Sequence, residues 1–121
     1  MGLSETPTPR IAVVVPCWND GATLRDTLAS IREDEPVEVV VIDDGSTDPA
    51  TLACLAEIDG SAARVLRQAN AGPAAAVQHG IDATAAPFVL RLDADDLLEQ
   101  GVLAAMADAL AADQRAGFAY G

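Results

Sequence analysis

Short runs of apolar residues divide the chain at regular intervals. Ile11 to Val15, Val37 to Ile42 and Phe88 to Leu92 are wholly or almost wholly apolar, and a weaker run covers Ala63 to Leu66. Runs of this length, rich in β-branched residues and bounded by proline, glycine or aspartate, are typical of strands buried on both faces. The pattern predicts four strands, with a fifth beginning at Phe118 to Tyr120.

Between these runs, apolar residues recur every three or four positions, which is the spacing of a helix with one buried face. The second and third helices each begin at a proline, Pro49 and Pro73, whose fixed φ suits the first helical turn. A fourth helix is expected over residues 99–113, and residues 1–10 are expected to form a flexible leader. The side chains expected on the inner faces are Leu24, Leu28, Ile31, Leu52, Leu55, Ile58, Val77, Ile81, Leu103, Met106 and Leu110.

Strands that alternate with helices predict right-handed crossovers and a parallel sheet covered on both faces. We therefore expect one α/β domain over residues 11–121, a three-layer sandwich with a mainly parallel sheet. In such sheets the ligand site lies outside the carboxyl ends of the strands. The segments that follow the predicted strands collect acids, amides and a tryptophan at this rim: Pro16-Cys17-Trp18-Asn19, Asp43 to Asp48, Asn70-Ala71-Gly72 and Asp93 to Asp96.

The last of these segments contains three carboxylates, Asp93, Asp95 and Asp96, within four residues. Carboxylates this close repel one another unless a cation lies among them. Oxygen ligands on a tight turn suit Mg²⁺ or Mn²⁺, which water and substrate phosphates then complete. Taken alone, the motif is better explained by a solvated acidic turn before a helix. The polar residues at the other strand ends favour the metal.

Composition and charge narrow the classes of partner. The net charge of −12 argues against nucleic acid or an anionic membrane as partner, and it requires a cation to mediate any phosphate binding. No apolar stretch approaches the roughly 20 residues of a membrane span, so we expect a cytoplasmic protein, with membrane association arising only in a longer parent protein. Cys17 and Cys54 form no metal-binding or disulfide pattern and are expected to be buried.

Four segments together resemble a known family: residues 13–19 (VVVPCWN), 39–48 (VVVIDDGSTD), 70–76 (NAGPAAA) and 90–96 (LRLDADD). In this order and spacing they resemble the nucleotide-binding half of the inverting GT-A glycosyltransferases of family 2, over residues 11–121. The resemblance implies a nucleotide-diphospho-sugar transferase-like fold. It also implies metal-assisted transfer, with inversion, of a sugar from a uridine or guanosine diphosphate donor to an acceptor that the sequence does not identify.

The resemblance also implies roles for individual residues. Trp18 would stack on the donor base and Asp44 would hydrogen-bond that base, with Asp43 supporting the turn. Asp93 would lie by the ribose, and Asp95, assisted by Asp93, would bind the metal on the diphosphate. The complete set of implied donor-binding residues is Pro16, Trp18, Asn19, Asp43, Asp44, Gly72 and Asp93.

Two departures from the family pattern stand out. Many relatives carry Arg-Asn where this chain has Val77-Gln78, so a cationic contact to the donor is missing, and either Arg91 or Arg67 could substitute. Relatives also continue into an acceptor-binding half with the general base, which nothing here matches. We therefore expect a truncated part that binds the donor without transferring the sugar, and that can associate with itself through the surface its missing half would cover.

A non-catalytic domain, either receiver-like or a nucleotide-binding interaction domain, is the alternative interpretation, because paired acids at strand ends occur there too. A phosphatase with an aspartyl nucleophile would carry a hydroxyl residue where this chain has Leu97, and an EF-hand would need oxygen and glycine at Leu97 and Leu98. The G-x-G-x-x-G of a dinucleotide-binding oxidoreductase is absent after the first strand. Binding of a sugar nucleotide separates the two remaining interpretations.

Overall fold

The structure is a computed structural model that describes residues 9–112. Strands and helices alternate along this part of the chain, and the strands form one parallel sheet in the order β3-β2-β1-β4. The predicted α/β class is confirmed. The elements are β1 (Ile11–Cys17), α1 (Gly21–Ala29), β2 (Val37–Asp43), α2 (Pro49–Ile58), β3 (Arg64–Arg67), α3 (Pro73–Asp82), β4 (Phe88–Arg91) and α4 (Val102–Ala112).

The observed elements follow the predicted ones closely. The clearest difference is α4, which begins at Val102 rather than at residue 99, because Gly101 adopts a φ of 80° that a right-handed helix cannot contain. The predicted fifth strand at Phe118 to Tyr120 and most of the predicted leader lie outside the described residues. Within residues 9–112, no helix is long and apolar enough to span a bilayer.

β1 lies inside the sheet, and its side chains are buried on both faces. It pairs with β2 along its whole length, with Ile11 opposite Val37, and with β4 on its other side. Val13 and Val15 pack with residues of α1, α2 and α4 on one face, while Val14 belongs to the cluster that includes α3 on the other. The predicted three layers are therefore confirmed, and they explain why β1 is apolar at successive positions.

α3 approaches the sheet closely because it presents two small residues, Ala76 and Gly80, to β1 and β2. The prediction that Val77 and Ile81 form the inner face of this helix is wrong, since Ala76 and Gly80 are its buried residues and Ile81 is 40% exposed. A Cβ atom placed on Gly80 would lie 2.3 Å from Cγ1 of Val14, a distance that real Cβ contacts do not reach. A side chain at position 80 would thus push the helix away from the sheet. The close packing brings the start of α3, at Pro73, to the carboxyl ends of the strands.

The strand order reverses between β1 and β4. From β1 the chain steps through α1 to β2 and through α2 to β3, always in one direction across the sheet. α3 then carries the chain back across the sheet to β4 on the other side of β1. The right-handed crossover rule places α3 on the face opposite α1 and α2 for this reason. Such a reversal opens a crevice at the carboxyl ends of the two strands, where ligands of α/β proteins bind.

The outer side of β4 carries an apolar groove of about 350 Å³. Residues from β4 and α4 line it together with Ile81 of α3. The expected self-association stays a prediction. The main apolar side chains in the groove are Ile11, Ile81, Phe88, Met106 and Leu110.

Candidate functional site

A crevice of about 520 Å³ opens at the carboxyl ends of β1, β2 and β4, where the strand order reverses. The structure brings all the predicted donor-binding and metal residues to this crevice except Asn19 and Asp43. The residues that line it are Pro16, Cys17, Trp18, Asp20, Asp44, Asn70, Gly72, Pro73, Arg91, Asp93, Ala94 and Asp95.

Asp44, directly after β2, ties down the loop between β3 and α3. Its Oδ1 accepts hydrogen bonds from Gln68 Nε2 at 2.9 Å and from the backbone N–H of Ala71 at 2.8 Å. Its Oδ2 accepts from the backbone N–H of Gly72 at 3.0 Å. The Gln68 bond, followed by the two backbone bonds, lowers the pKa of Asp44 although the side chain is only 4% exposed. Asp44 is therefore a preorganised carboxylate. Within the described residues, its Oδ2 accepts a single hydrogen bond.

Gln68 is a residue of the site that the sequence did not reveal. Because the Asp44 carboxylate can only accept, the Gln68 amide turns its NH₂ group towards Asp44 and its Oε1 towards His79 Nδ1, 2.9 Å away. Because Oε1 can only accept, Nδ1 of His79 is the donor in this contact. No sequence pattern marks these contacts, because Asp44, Gln68 and His79 come from three separate parts of the chain.

Asp43 is fully buried and points away from the crevice. Its Oδ1 accepts from the backbone N–H of Ser46 at 2.9 Å, which holds the turn after β2, as the resemblance implies. Its Oδ2 lies 2.9 Å from Nε of Arg67, as an ion pair whose N–H is not aligned for a hydrogen bond. Contact between Asp43 and a donor stays a prediction.

Asn19 joins two of the loops at the crevice rim. It adopts a φ of 55°, and its Oδ1 accepts from the backbone N–H groups of Thr47 and Asp48, both at 2.9 Å. Its own N–H donates to Ser46 Oγ at 2.9 Å. The side chain of Asn19 thus connects two loops and does not line the crevice. A direct contact of Asn19 with a donor also stays a prediction.

Trp18 lies beside Asn19 at the mouth of the crevice, with 52% of its surface exposed. Its backbone N–H donates to Oδ2 of Asp20 at 2.9 Å, which fixes the turn that carries it. A tryptophan in the core would be covered on both ring faces, and this one is not. Its indole is therefore available for a flat ligand to stack on.

The two cysteines are buried and free, as expected. Burial raises the pKa of Cys17 to about 11. The thiol of Cys17, at the wall of the crevice, is therefore protonated at neutral pH and serves neither as a nucleophile nor as a metal ligand.

Asp93, Asp95 and Asp96 form the acidic cluster, in which carboxylate oxygens of all three residues lie within 4.8 Å of one another. Asp93 and Asp95 line the crevice, whereas Asp96 does not. Arg91 approaches Asp93, with Nε 3.0 Å from Oδ1. A set of clustered carboxylate oxygens on an open turn fits a hard divalent cation such as Mg²⁺ or Mn²⁺.

Two threonines of α1 hold the backbone of this cluster in place. Thr23 Oγ1 and Thr27 Oγ1 each donate to the carbonyl oxygen of Ala94 at 2.8 Å, and Thr27 is fully buried. Further along, Leu98 N–H donates to Ser30 Oγ at 3.0 Å. The carbonyl between Asp93 and Asp95 is therefore turned into the protein, which fixes the backbone that carries the two carboxylates.

Replacing Thr27 by valine is expected to lower the free energy of unfolding by about 1 to 2 kcal/mol, because the variant keeps the shape but loses a buried hydrogen bond. Urea denaturation followed by circular dichroism measures this change. Thr47→Val makes the same chemical change at an exposed position and should shift stability by less than about 0.5 kcal/mol. Equal stability of the Thr27 and Thr47 variants would contradict the support described here.

Comparison with known proteins agrees with this geometry. Residues 12–121 match the family described as glycosyl transferase family 2. The chain is 40% identical to the succinoglycan biosynthesis protein ExoU of Rhizobium meliloti over 96 residues, which cover 77% of this chain and 28% of that protein. It is 36% identical to the glycosyltransferase AglJ of Haloferax volcanii over 106 residues, 86% of this chain and 34% of that one.

Among solved structures, TarS of S. aureus, residues 1–349, aligns with a TM-score of 0.74 and 28% identity over 86% of this chain and 33% of that chain. TarS structures in complex with UDP and with UDP-GlcNAc align with a TM-score of 0.72. The expected GT-A type of fold is thereby confirmed. The chain spans about a third of the length of the relatives it matches.

Proposed function

The chain belongs to glycosyl transferase family 2, and on this premise we propose that its crevice binds the nucleoside diphosphate part of a sugar donor. One observation carries the proposal: an exposed indole, a preorganised carboxylate and an acidic cluster share a single crevice at the reversal of strand order. The indole suits the flat face of a base, and the carboxylate suits an N–H donor on the edge of that base. The acidic cluster suits a diphosphate that binds metal. TarS, with 28% identity, has been solved with UDP and with UDP-GlcNAc, which supports a uridine donor.

The base is proposed to stack on Trp18 and to donate a hydrogen bond to Asp44. A carboxylate that is held ionised accepts hydrogen bonds and cannot donate them. It therefore suits uracil and guanine, whose ring N–H can donate to it, better than cytosine, which offers only an exocyclic amino group beside an unprotonated ring nitrogen that the carboxylate repels. This chemistry supports the uridine or guanosine diphosphate donors that the family resemblance implies.

Asp95 and Asp93 are proposed to hold Mg²⁺ or Mn²⁺ together with the diphosphate. Such an ion, when bound, supplies positive charge that stabilises the diphosphate as a leaving group. The ribose would lie near Asp93. The two carboxylates contribute oxygen ligands from a fixed backbone, because the carbonyl between them is bound by Thr23 and Thr27.

Inverting transfer needs a base that accepts the proton of the acceptor hydroxyl. Of the crevice carboxylates, Asp44, Asp93 and Asp95 have proposed donor or metal roles, and Asp20 accepts the backbone N–H of Trp18 in the turn at the mouth of the crevice. We therefore propose that the acceptor site and the base belong to a further part of the protein, and that residues 11–121 bind the donor without transferring the sugar. Assay of this chain beside a longer one, with labelled sugar nucleotides, tests this division. Equal turnover by both chains would refute it.

Intrinsic fluorescence tests the donor site directly, because Trp18 is the only tryptophan in the chain. With Mg²⁺ present, titration with UDP or GDP should give a saturable change in emission, and titration with CDP should give a much weaker one. Calorimetry on the same samples reports binding independently of the indole. Calorimetric binding without any fluorescence change would remove Trp18 from the site, and absence of binding to every nucleotide would refute the proposed donor site.

A further inference from the structure

Arg91 is the only cation among the described residues that line the crevice. It is the last residue of β4, half-exposed, and its Nε lies 3.0 Å from Oδ1 of Asp93. This inference rests on the proposed donor site. We propose that Arg91 is the counter-ion of the acidic cluster in the free protein, and that its guanidinium moves from Asp93 to the diphosphate when metal and donor bind.

The charges of the crevice support a second role for this residue. Four carboxylates line it, those of Asp20, Asp44, Asp93 and Asp95, against the single guanidinium of Arg91. A diphosphate brings further negative charge into this acidic surrounding, so a divalent cation and a nearby guanidinium both lower the repulsion. Arg91 is placed to provide this guanidinium.

The geometry of the guanidinium permits the exchange. Its Nε donates to Asp93, while no described residue accepts a hydrogen bond from its two terminal NH₂ groups. Arginine presents its donors as a rigid fork that matches two phosphate oxygens. Arg91 can therefore neutralise Asp93 in the free protein and turn the same fork to phosphate oxygens once Asp93 has a cation as partner.

The chain contains a matched control in Arg67. It is also the last residue of a strand, β3, and its Nε lies 2.9 Å from Oδ2 of Asp43. It is similarly exposed but does not line the crevice. From the sequence, the two arginines were equivalent candidates for a donor contact. In the structure, Arg91 lines the crevice and Arg67 does not.

Removing Arg91 is expected to change two affinities in opposite directions. In Arg91→Gln, Mn²⁺ without nucleotide should bind about threefold more tightly, because a competing positive charge is gone. UDP with saturating Mg²⁺ should bind about tenfold more weakly, and uridine should bind unchanged. Arg91→Lys keeps the positive charge but lacks the forked donors, so both of its affinities should lie between those of the wild type and of Arg91→Gln. Manganese titration by electron paramagnetic resonance and calorimetry with UDP and uridine measure these values on the 121-residue chain.

Arg67→Gln should leave the Mn²⁺ affinity and the ratio of UDP to uridine affinity unchanged. Equal shifts in the two arginine variants would reduce the effect to overall charge and overturn the role of Arg91, as would a parallel loss of both affinities in Arg91→Gln. If the wild-type chain binds UDP and Arg91→Gln binds it equally well, only this inference fails. If the wild-type chain does not bind UDP, the proposed function fails and takes this inference with it.

Discussion

Asp95→Asn is expected to weaken Mg²⁺-dependent binding of UDP by about 100-fold, close to the level seen in chelator. Changes to groups that merely orient metal ligands already cost 10- to 100-fold in affinity, so loss of a proposed ligand charge should reach the upper end. Asp95 is exposed, so the substitution should leave the fold intact. Calorimetric titration with UDP, in Mg²⁺ and in chelator, measures the effect, and thermal unfolding checks the fold.

Asp96→Asn is the matched control for this experiment. Asp96 is an exposed aspartate of the same acidic cluster but does not line the crevice, so its loss should reduce affinity by no more than about threefold through charge alone. Wild-type binding that is as strong in chelator as in Mg²⁺ would refute the metal role of the cluster. Equal losses in the two variants would assign the effect to net charge rather than to Asp95.

Asp44→Asn is expected to lower both stability and donor affinity. The amide keeps the size of the side chain and one acceptor oxygen, but its NH₂ group replaces the other oxygen. Either the Gly72 N–H, or the Gln68 amide together with the Ala71 N–H, then loses its acceptor. Hydrogen bonds to a charged partner contribute about 1.5 to 3 kcal/mol, so we expect a loss of about 2 kcal/mol in the free energy of unfolding. Asp82→Asn, at an exposed aspartate with one side-chain partner, is the control.

The stability lost in Asp44→Asn should also depend on pH. The folded protein holds the pKa of Asp44 below its unfolded value of about 3.9, so the carboxylate stabilises the fold fully above that pH. The contribution declines as pH falls through the lower folded pKa. Urea unfolding of wild type and variant at pH 7 and at successively lower pH should therefore show a difference that shrinks in acid. A difference independent of pH would contradict a stabilising charged form.

The sequence predicted the fold class because β1 is buried on both faces and continuously apolar, and β2 is almost as apolar, with helical patterns between the strands. It also predicted the location of the site, since the carboxyl ends of parallel strands share one edge. Trp18, Asp44, Asp93 and Asp95 were candidates because they lie in the segments just after strands, and the family resemblance implied their roles. The strand order was beyond the sequence alone, since the pairing of β4 with β1 depends on which way the crossover through α3 runs.

The residues that support the site were not predictable in the same way. Thr23 and Thr27 meet Ala94 only because α1 packs beside the loop after β4, and two threonines four residues apart carry no signal of that contact. Gln68 likewise reaches Asp44 from a neighbouring strand end. Asp43 precedes Asp44 in the chain and turns inward, because consecutive side chains leaving a strand point to opposite sides.

The reversal of strand order also sets a sequence of events in folding. β1, β2 and β3 are neighbours both along the chain and in the sheet, so they can pair as soon as each has been synthesised. β4 must wait until α3 has crossed the sheet, because its partner is the first strand of all. Non-local pairing of this kind is slow. We therefore expect Trp18 and Asp44 to be in place before the loop of Asp93 and Asp95 docks against α1, so that the base-binding side matures before the metal-binding side.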